Sequence, residues 1–209
     1  MRIAREGWRF VLPCLGAGLL SAWLGWPVPA VAFLLLAGAF VFFFRDPLRS
    51  APGGDTDILS PADGTVLNIE TLDSHPWLGT PATRITIFLS LLNVHVTRSP
   101  VSGFVDKVEY QPGRFFPASS EEAGRKNESH SLSIRGTKVD VHLKQIVGVA
   151  ARRIKCDIKQ GERIERGQKI GLMYFGSRVE ISLSRATVSA VVRRQKVRAG
   201  ETILAEVRE

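Results

Sequence analysis

Between Arg9 and Arg45 the chain carries no charge over 35 consecutive residues, Phe10 to Phe44. A segment of that kind has to be buried in a core or meet lipid, and it constrains the fold more than any other feature. The Trp26-Pro27-Val28-Pro29 break divides it into two apolar runs of 17 residues, Phe10 to Trp26 and Val28 to Phe44, because proline ends or kinks a helix. The runs predict a helical hairpin. At 1.5 Å per residue each reaches about 26 Å against a hydrocarbon core of about 30 Å, so two short spans and a partly immersed hairpin are both open. A cleaved signal peptide fits poorly, since the second run continues without polar relief into Phe42-Phe43-Phe44-Arg45-Asp46-Pro47. Arg2, Arg5 and Arg9 flank one end and Arg45 and Arg49 the other. The positive-inside rule then puts both ends, and the rest of the chain, on the cytoplasmic face of the cell membrane. Trp8, Trp23 and Trp26 stand where interfacial aromatics belong.

The remainder is water-compatible and basic. With 28 Lys and Arg against 20 Asp and Glu in 209 residues, the chain has a net charge of +8, which points to a polyanionic partner. An uncharged segment joined to a basic domain favours an anionic membrane surface over nucleic acid. The basic clusters Arg152-Arg153-Lys155 and Arg193-Arg194-Lys196-Arg198 read as solvated faces that could rest on anionic lipid. Cys14 and Cys156, the two cysteines, match neither a disulfide scaffold nor a zinc spacing.

We expect a membrane-anchoring hairpin over residues 1–47 and a mainly β domain over 48–209. Short β-rich runs alternate with turn residues: Thr65 to Ile69, Arg84 to Leu89, Phe104 to Tyr110, Lys138 to Val149, Arg152 to Ile158, Val179 to Leu183 and Val188 to Val192. Gly64, Gly103, Gly161, Gly167 and Gly200 each precede a strand-like run. Their recurrence suggests a pseudo-symmetric sandwich of small hairpins with glycines at positive φ. That arrangement resembles the barrel-sandwich hybrid of biotinyl and lipoyl domains. A carrier role would need a lysine at an exposed hairpin tip, and a zinc peptidase a His-x-His pair; His75, His95, His130 and His142 form no such pair, and no metal site is expected. A non-catalytic membrane-anchored adaptor that binds lipid or protein is the rival reading.

The segment Gly167-Gln168-Lys169-Ile170-Gly171-Leu172-Met173-Tyr174-Phe175-Gly176-Ser177-Arg178-Val179-Glu180 is the most specific. With Ser60-Pro61-Ala62-Asp63-Gly64, Asn93-Val94-His95-Val96-Thr97-Arg98, Pro112-Gly113-Arg114-Phe115 and Gln145-Ile146-Val147-Gly148, in that chain order, it resembles the short, archaeal-type form of phosphatidylserine decarboxylase. The resemblance covers nearly the whole chain. It implies a proenzyme that cuts itself between Gly176 and Ser177 and turns Ser177 into a pyruvoyl cofactor. The activity implied is decarboxylation of phosphatidylserine, an anionic phospholipid, or of an ether lipid with the same head group. Association of the two fragments, and a homo-oligomer, are compatible with it.

Elementary chemistry suits these residue types. Glycine before the serine lets the backbone bend so that the hydroxyl can approach the preceding carbonyl. The hydroxyl is a weak nucleophile until a base takes its proton. Asp63 and His95 are the acid-base candidates, since the family uses an aspartate and a histidine with the serine. Longer members carry His-x-x-His-x-Pro where this chain reads His95-Val96-Thr97-Arg98-Ser99-Pro100. The histidine tied to self-cleavage thus falls on Arg98, while His95 matches the one tied to substrate protonation. Arg98, which cannot accept a proton at neutral pH, and Arg178 are the candidates to bind substrate. Asn127-Glu128-Ser129-His130 reads as a solvated loop, and Cys156 and His142 as structural.

Overall fold

The computed structural model describes residues 2–149, 153–174, 176–184 and 187–207. The chain divides into two compact units, Met1–Leu48 and Arg49–Glu209.

In the first unit a two-residue strand β1 (Arg2–Ile3) leads to helices α1 (Trp8–Trp23) and α2 (Pro27–Phe43), and β2 (Arg45–Asp46) returns to pair with β1. The apolar runs form the helices with few polar side chains to compete with the backbone, Ser21 being the one hydroxyl residue between Phe10 and Phe44. Pro27 starts α2 at a position where the missing N–H costs nothing. The helices pack closely, with Gly18 against Leu34 and Phe10 between Phe40 and Phe44. Their outer faces leave Leu19, Trp23, Val28 and Leu35 between 65% and 81% exposed, an apolar surface that water disfavours. With 16 and 17 residues, no helix among the described residues is long and apolar enough to cross a membrane.

The second unit is mainly β. Its strands are β3 (Asp57–Leu59), β4 (Gly64–Leu72), β5 (Ala82–Leu89), β6 (Val96–Arg98), β7 (Gly103–Gln111), β8 (Ser129–Gly136), β9 (Val141–Val147), β10 (Ile154–Cys156), β11 (Arg163–Ile164), β12 (Lys169–Met173), β13 (Ser177–Ser184), β14 (Thr187–Ser189), β15 (Lys196–Val197) and β16 (Ile203–Val207), with one short helix, α3 (Glu121–Lys126). Eight strands form a curled antiparallel sheet in the order β11-β7-β8-β9-β13-β5-β4-β15. Among the described residues two three-stranded sheets, β10-β12-β6 and β14-β16-β3, accompany it.

Period-two alternation decides which face of the large sheet is the core. Ile85, Ile87 and Leu89 of β5, Leu132 and Ile134 of β8, Val141 and Leu143 of β9, and Val179, Ile181 and Leu183 of β13 point inward against Ile58, Ile164, Ile170, Met173 and Leu204. The opposite face presents Arg84, Thr86, Ser131, His142, Lys144, Arg178, Glu180 and Ser182 to a cavity of about 1370 Å³. The mainly β expectation holds, but the structure does not confirm the biotinyl/lipoyl-like arrangement: long neighbouring strands build one wide sheet. Gly161, Gly167 and Gly200 have the positive φ expected of them, whereas Gly64 and Gly103 do not. There a Cβ would meet the Phe88 and Arg135 carbonyl oxygens at 2.2 Å, so close strand approach demands glycine. The run expected over Lys138 to Val149 begins only at Val141, after the β8–β9 turn. Part of the run expected from Arg152 lies outside the described residues.

Candidate active site

Three strands of the large sheet end together. Ser177 opens β13, opposite Leu89 at the end of β5 and Val147 at the end of β9. Ser177 is fully buried, and its hydroxyl donates to the Tyr174 carbonyl over 3.5 Å. Gly176 has φ +71° with open space where a Cβ would stand. The left-handed backbone, not crowding, is what asks for glycine there. Gly148 is the reverse case. A Cβ on it would lie 2.3 Å from the Gly176 carbonyl oxygen and 3.1 Å from Ala118 Cβ.

His95, also fully buried, reaches the same junction from just before β6. Its Nδ1 contacts the Asn93 carbonyl at 3.0 Å, and its Nε2 accepts the Gly176 N–H at 3.2 Å. A carbonyl only accepts, so Nδ1 carries the proton and Nε2 presents its lone pair to the Gly176 N–H. The Met173 N–H donates to the His95 carbonyl at 3.1 Å, which ties the histidine backbone to the strand leading into the junction. Residues 81 positions apart in sequence thus meet through one hydrogen bond.

Asp63 takes up a different place. Its carboxylate accepts from Arg49 at 2.9 and 3.3 Å and from the Ala199 N–H at 2.8 Å, and Arg49 also bridges to Glu201 at 2.7 Å. Burial holds the Asp63 carboxyl above its ordinary range, opposed by the Ala199 N–H and the Arg49 guanidinium. The Asp63 segment touches the histidine strand through Pro61, whose carbonyl accepts the Arg98 N–H at 2.9 Å. The Arg98 side chain donates to the Gly167 carbonyl at 3.1 Å. Arg178 lies on the face of β13 opposite Ser177, donating to the Ser120 carbonyl at 2.9 Å and pairing with Glu180. The structure therefore brings Gly176, Ser177 and His95 together, sets Asp63 beside the strand that follows the histidine and Arg98 at that strand's end, and turns Arg178 into the cavity.

Sequence reasoning overlooked several contributors. Asn127, placed above in a solvated loop, is 3% exposed. Its amide donates to the Phe116 and Val147 carbonyls at 2.8 Å and accepts the Phe116 N–H at 2.8 Å, clamping the end of β9 beside Ser177. Gln145, the polar inward residue in an apolar series on β9, donates to Thr97 Oγ1 at 2.6 Å. An amide in the pattern Val141, Leu143, Gln145, Val147 was the available signal. Arg49 left none, and Gly148, though part of the Gln145-Ile146-Val147-Gly148 motif, gave no sign of its approach to the Gly176 carbonyl, because their partners are remote in sequence. The local chemistry suits an internal acyl shift: a buried hydroxyl follows a glycine in the left-handed backbone that glycine adopts freely, and a neutral imidazole holds the N–H of that same glycine.

The sequence profile of the family described as phosphatidylserine decarboxylase matches residues 36–205. A relative named phosphatidylserine decarboxylase proenzyme, from Ehrlichia canis (strain Jake), is 43% identical over 215 residues, covering 99% of this chain and 92% of the relative. Proteins of the same name from Erythrobacter litoralis (strain HTCC2594) and Burkholderia mallei (strain SAVP1) are each 41% identical. They cover 98% and 99% of this chain and 87% and 96% of their own lengths. The chain belongs to the phosphatidylserine decarboxylase family, and the adaptor reading finds no support.

Proposed function

We propose that this member of the phosphatidylserine decarboxylase family is a self-cleaving proenzyme whose product removes the carboxyl group of phosphatidylserine, yielding phosphatidylethanolamine and carbon dioxide. The observation that carries the reading is the His95 Nε2 at the Gly176 N–H beside the buried Ser177.

The Ser177 hydroxyl oxygen attacks the Gly176 carbonyl carbon. The C–N bond breaks as the ester forms, and the hydroxyl proton passes by way of a base to the freed nitrogen. Loss of the Ser177 α-proton then breaks the ester C–O bond and releases the Gly176 carboxylate, and addition of water, whose oxygen becomes the ketone as ammonia leaves, gives the pyruvoyl group on residue 177. Its carbonyl supplies the sink for the electron pair released when carbon dioxide departs. His95 is the acid-base group at the junction, and it returns a proton to the carbon that lost the carboxylate. Asp63 supports maturation as a positioning residue, through the segment that holds β6. Arg98, at the end of that strand, is the better candidate for the substrate phosphate or carboxylate; Arg178 shapes the opposite face. After cleavage β13 stays hydrogen-bonded between β5 and β9 along its length, so the fragments remain associated.

The first unit serves as the membrane anchor, its exposed apolar helix faces in lipid and its flanking arginines at the cytoplasmic surface. Intact-mass analysis tests the reading. The purified protein should appear as residues 1–176 and a 33-residue piece beginning with a ketone, Ser177→Ala should stay whole and inactive, and His95→Ala should lower turnover by about a hundredfold or more. Active protein recovered only as the intact chain would remove the pyruvoyl mechanism.

A further inference from the structure

We propose that the Leu91-Leu92 turn, with Val149 on the other side of the junction, is an apolar lip around the site that inserts into the acyl-chain region of a phospholipid bilayer. The inference rests on the reading that the substrate is a membrane lipid and adds where the site meets it.

The geometry follows from the register. Ser177 lies between Leu89 and Val147, so the segments continuing β5 and β9 emerge at the sheet end where the Gly176–Ser177 bond sits. The first carries Leu91 and Leu92, which are 55% and 72% exposed; the second carries Val149, which is 58% exposed. Both flank the reacting bond, and Gly148, one residue before Val149, lies so near the Gly176 carbonyl that a Cβ on it would stand 2.3 Å from the oxygen.

The turn violates ordinary turn chemistry. Ser90 and Asn93 close it, with the Asn93 N–H donating to the Ser90 carbonyl at 2.9 Å and the Asn93 Oδ1 accepting from the Ser90 N–H and hydroxyl at 2.9 and 2.7 Å. Central turn positions favour Gly, Pro, Asn, Asp and Ser, yet here both are leucine. Departures of this kind without a gain in the core mark functional positions. The turn is also coupled to the site, because the Asn93 carbonyl that ends it holds His95 Nδ1. A phospholipid presents its head group at the water boundary with its chains beneath. An apolar lip at this end of the sheet would set residue 177 at head-group depth.

Two measurements on the full chain test this. In a Cys14→Ser, Cys156→Ser background, Leu92→Cys and, separately, Lys138→Cys are labelled with an environment-sensitive fluorophore and reconstituted into phosphatidylcholine–phosphatidylserine vesicles with brominated acyl chains. Lys138 is exposed in the β8–β9 turn, at the other end of β9 from Val147. The label at 92 should shift to the blue and be quenched, and the label at 138 should not. Equal signals at both positions, no lipid signal at 92, or a signal at 92 that follows protein concentration instead of lipid would overturn the proposal; the last would assign the lip to a second copy of the chain.

In the second measurement Leu91→Ser/Leu92→Ser should self-cleave and turn over a short-chain, soluble phosphatidylserine normally, yet lose about tenfold or more of its activity on dilute vesicles. Leu91→Met/Leu92→Met should restore it. Equal loss on both substrates would make the turn a support for His95, and no loss would make it irrelevant. The fluorescence reads lipid contact without catalysis, so it decides even if the serine variant fails to mature. Failure of the underlying reading would show separately, as an unaltered chain that neither splits nor decarboxylates.

Discussion

Replacing Gly148 by alanine isolates the geometry of the scissile carbonyl from the chemistry of the groups around it. The added Cβ would stand 2.3 Å from the Gly176 oxygen, where about 3 Å is the closest approach that packed atoms sustain, so one backbone has to give by about 0.7 Å. Relief by movement of Gly148 is obstructed by Ala118 Cβ, 3.1 Å from the same point, and by Asn127, which ties down the neighbouring Val147 carbonyl. The Gly176 carbonyl therefore moves. Misplacing a reacting group by about 1 Å can cost about a hundredfold in rate, so the smaller shift here should slow self-cleavage by roughly ten- to a hundredfold. A denaturing gel followed over time after synthesis reads that rate directly, and circular dichroism checks that the fold is retained. Gly54→Ala is the matched control, since nothing lies within 4 Å of its Cβ position. Cleavage of a folded Gly148→Ala protein within about twofold of the unaltered rate would refute the argument that this approach positions the carbonyl.

Two further perturbations probe the supports of the site. Arg49→Ala would strip Asp63 of its cation while leaving Glu201 nearby; it should destabilise the second unit by about 3 kcal/mol in urea titration, and adding Asp63→Asn should recover part of that loss. Burial and the neighbouring His75 push His142 down to about 4 from an ordinary 6.5. As pH falls from 6.5 towards 4, the unfolded chain takes up a proton that the folded one refuses, so stability should decline by up to about 3 kcal/mol and then level off. The burial of His75 lowers its pKa in the same sense. His142→Gln should flatten that pH dependence, and an unchanged slope between pH 7 and pH 4.5 would exclude His142 as its source.

The helical hairpin was legible because its cause is local: 35 uncharged residues with prolines between the runs leave few alternatives. The same holds for β5 and β13, whose inward residues alternate cleanly. The eight-residue strand β8, Ser-His-Ser-Leu-Ser-Ile-Arg-Gly, escaped because serine and histidine dilute its β signal. Leu132 and Ile134 acquire their meaning only opposite Leu143 and Val141. Likewise the recurrent Gly-x-strand pattern suggested repeated small hairpins, whereas long-range pairing joins eight strands into one curled sheet. Local propensity says that a segment is extended; it does not say beside which other segment it lies.

The site divides along the same line. Gly176, Ser177, His95 and Asp63 could be singled out from residue types, spacing and family resemblance, because the chemistry of a Gly-Ser bond and of acid-base side chains is carried by the residues themselves. Their arrangement could not be read that way. That His95 presents Nε2 to Gly176, that Arg49 holds Asp63, that Gly148 leaves no room for a Cβ beside the Gly176 carbonyl and that Arg178 faces away from Ser177 all follow from strand register and sheet curvature. A hydrogen bond or a steric contact depends on distance in space, and between residues tens of positions apart only the packed tertiary structure sets that distance.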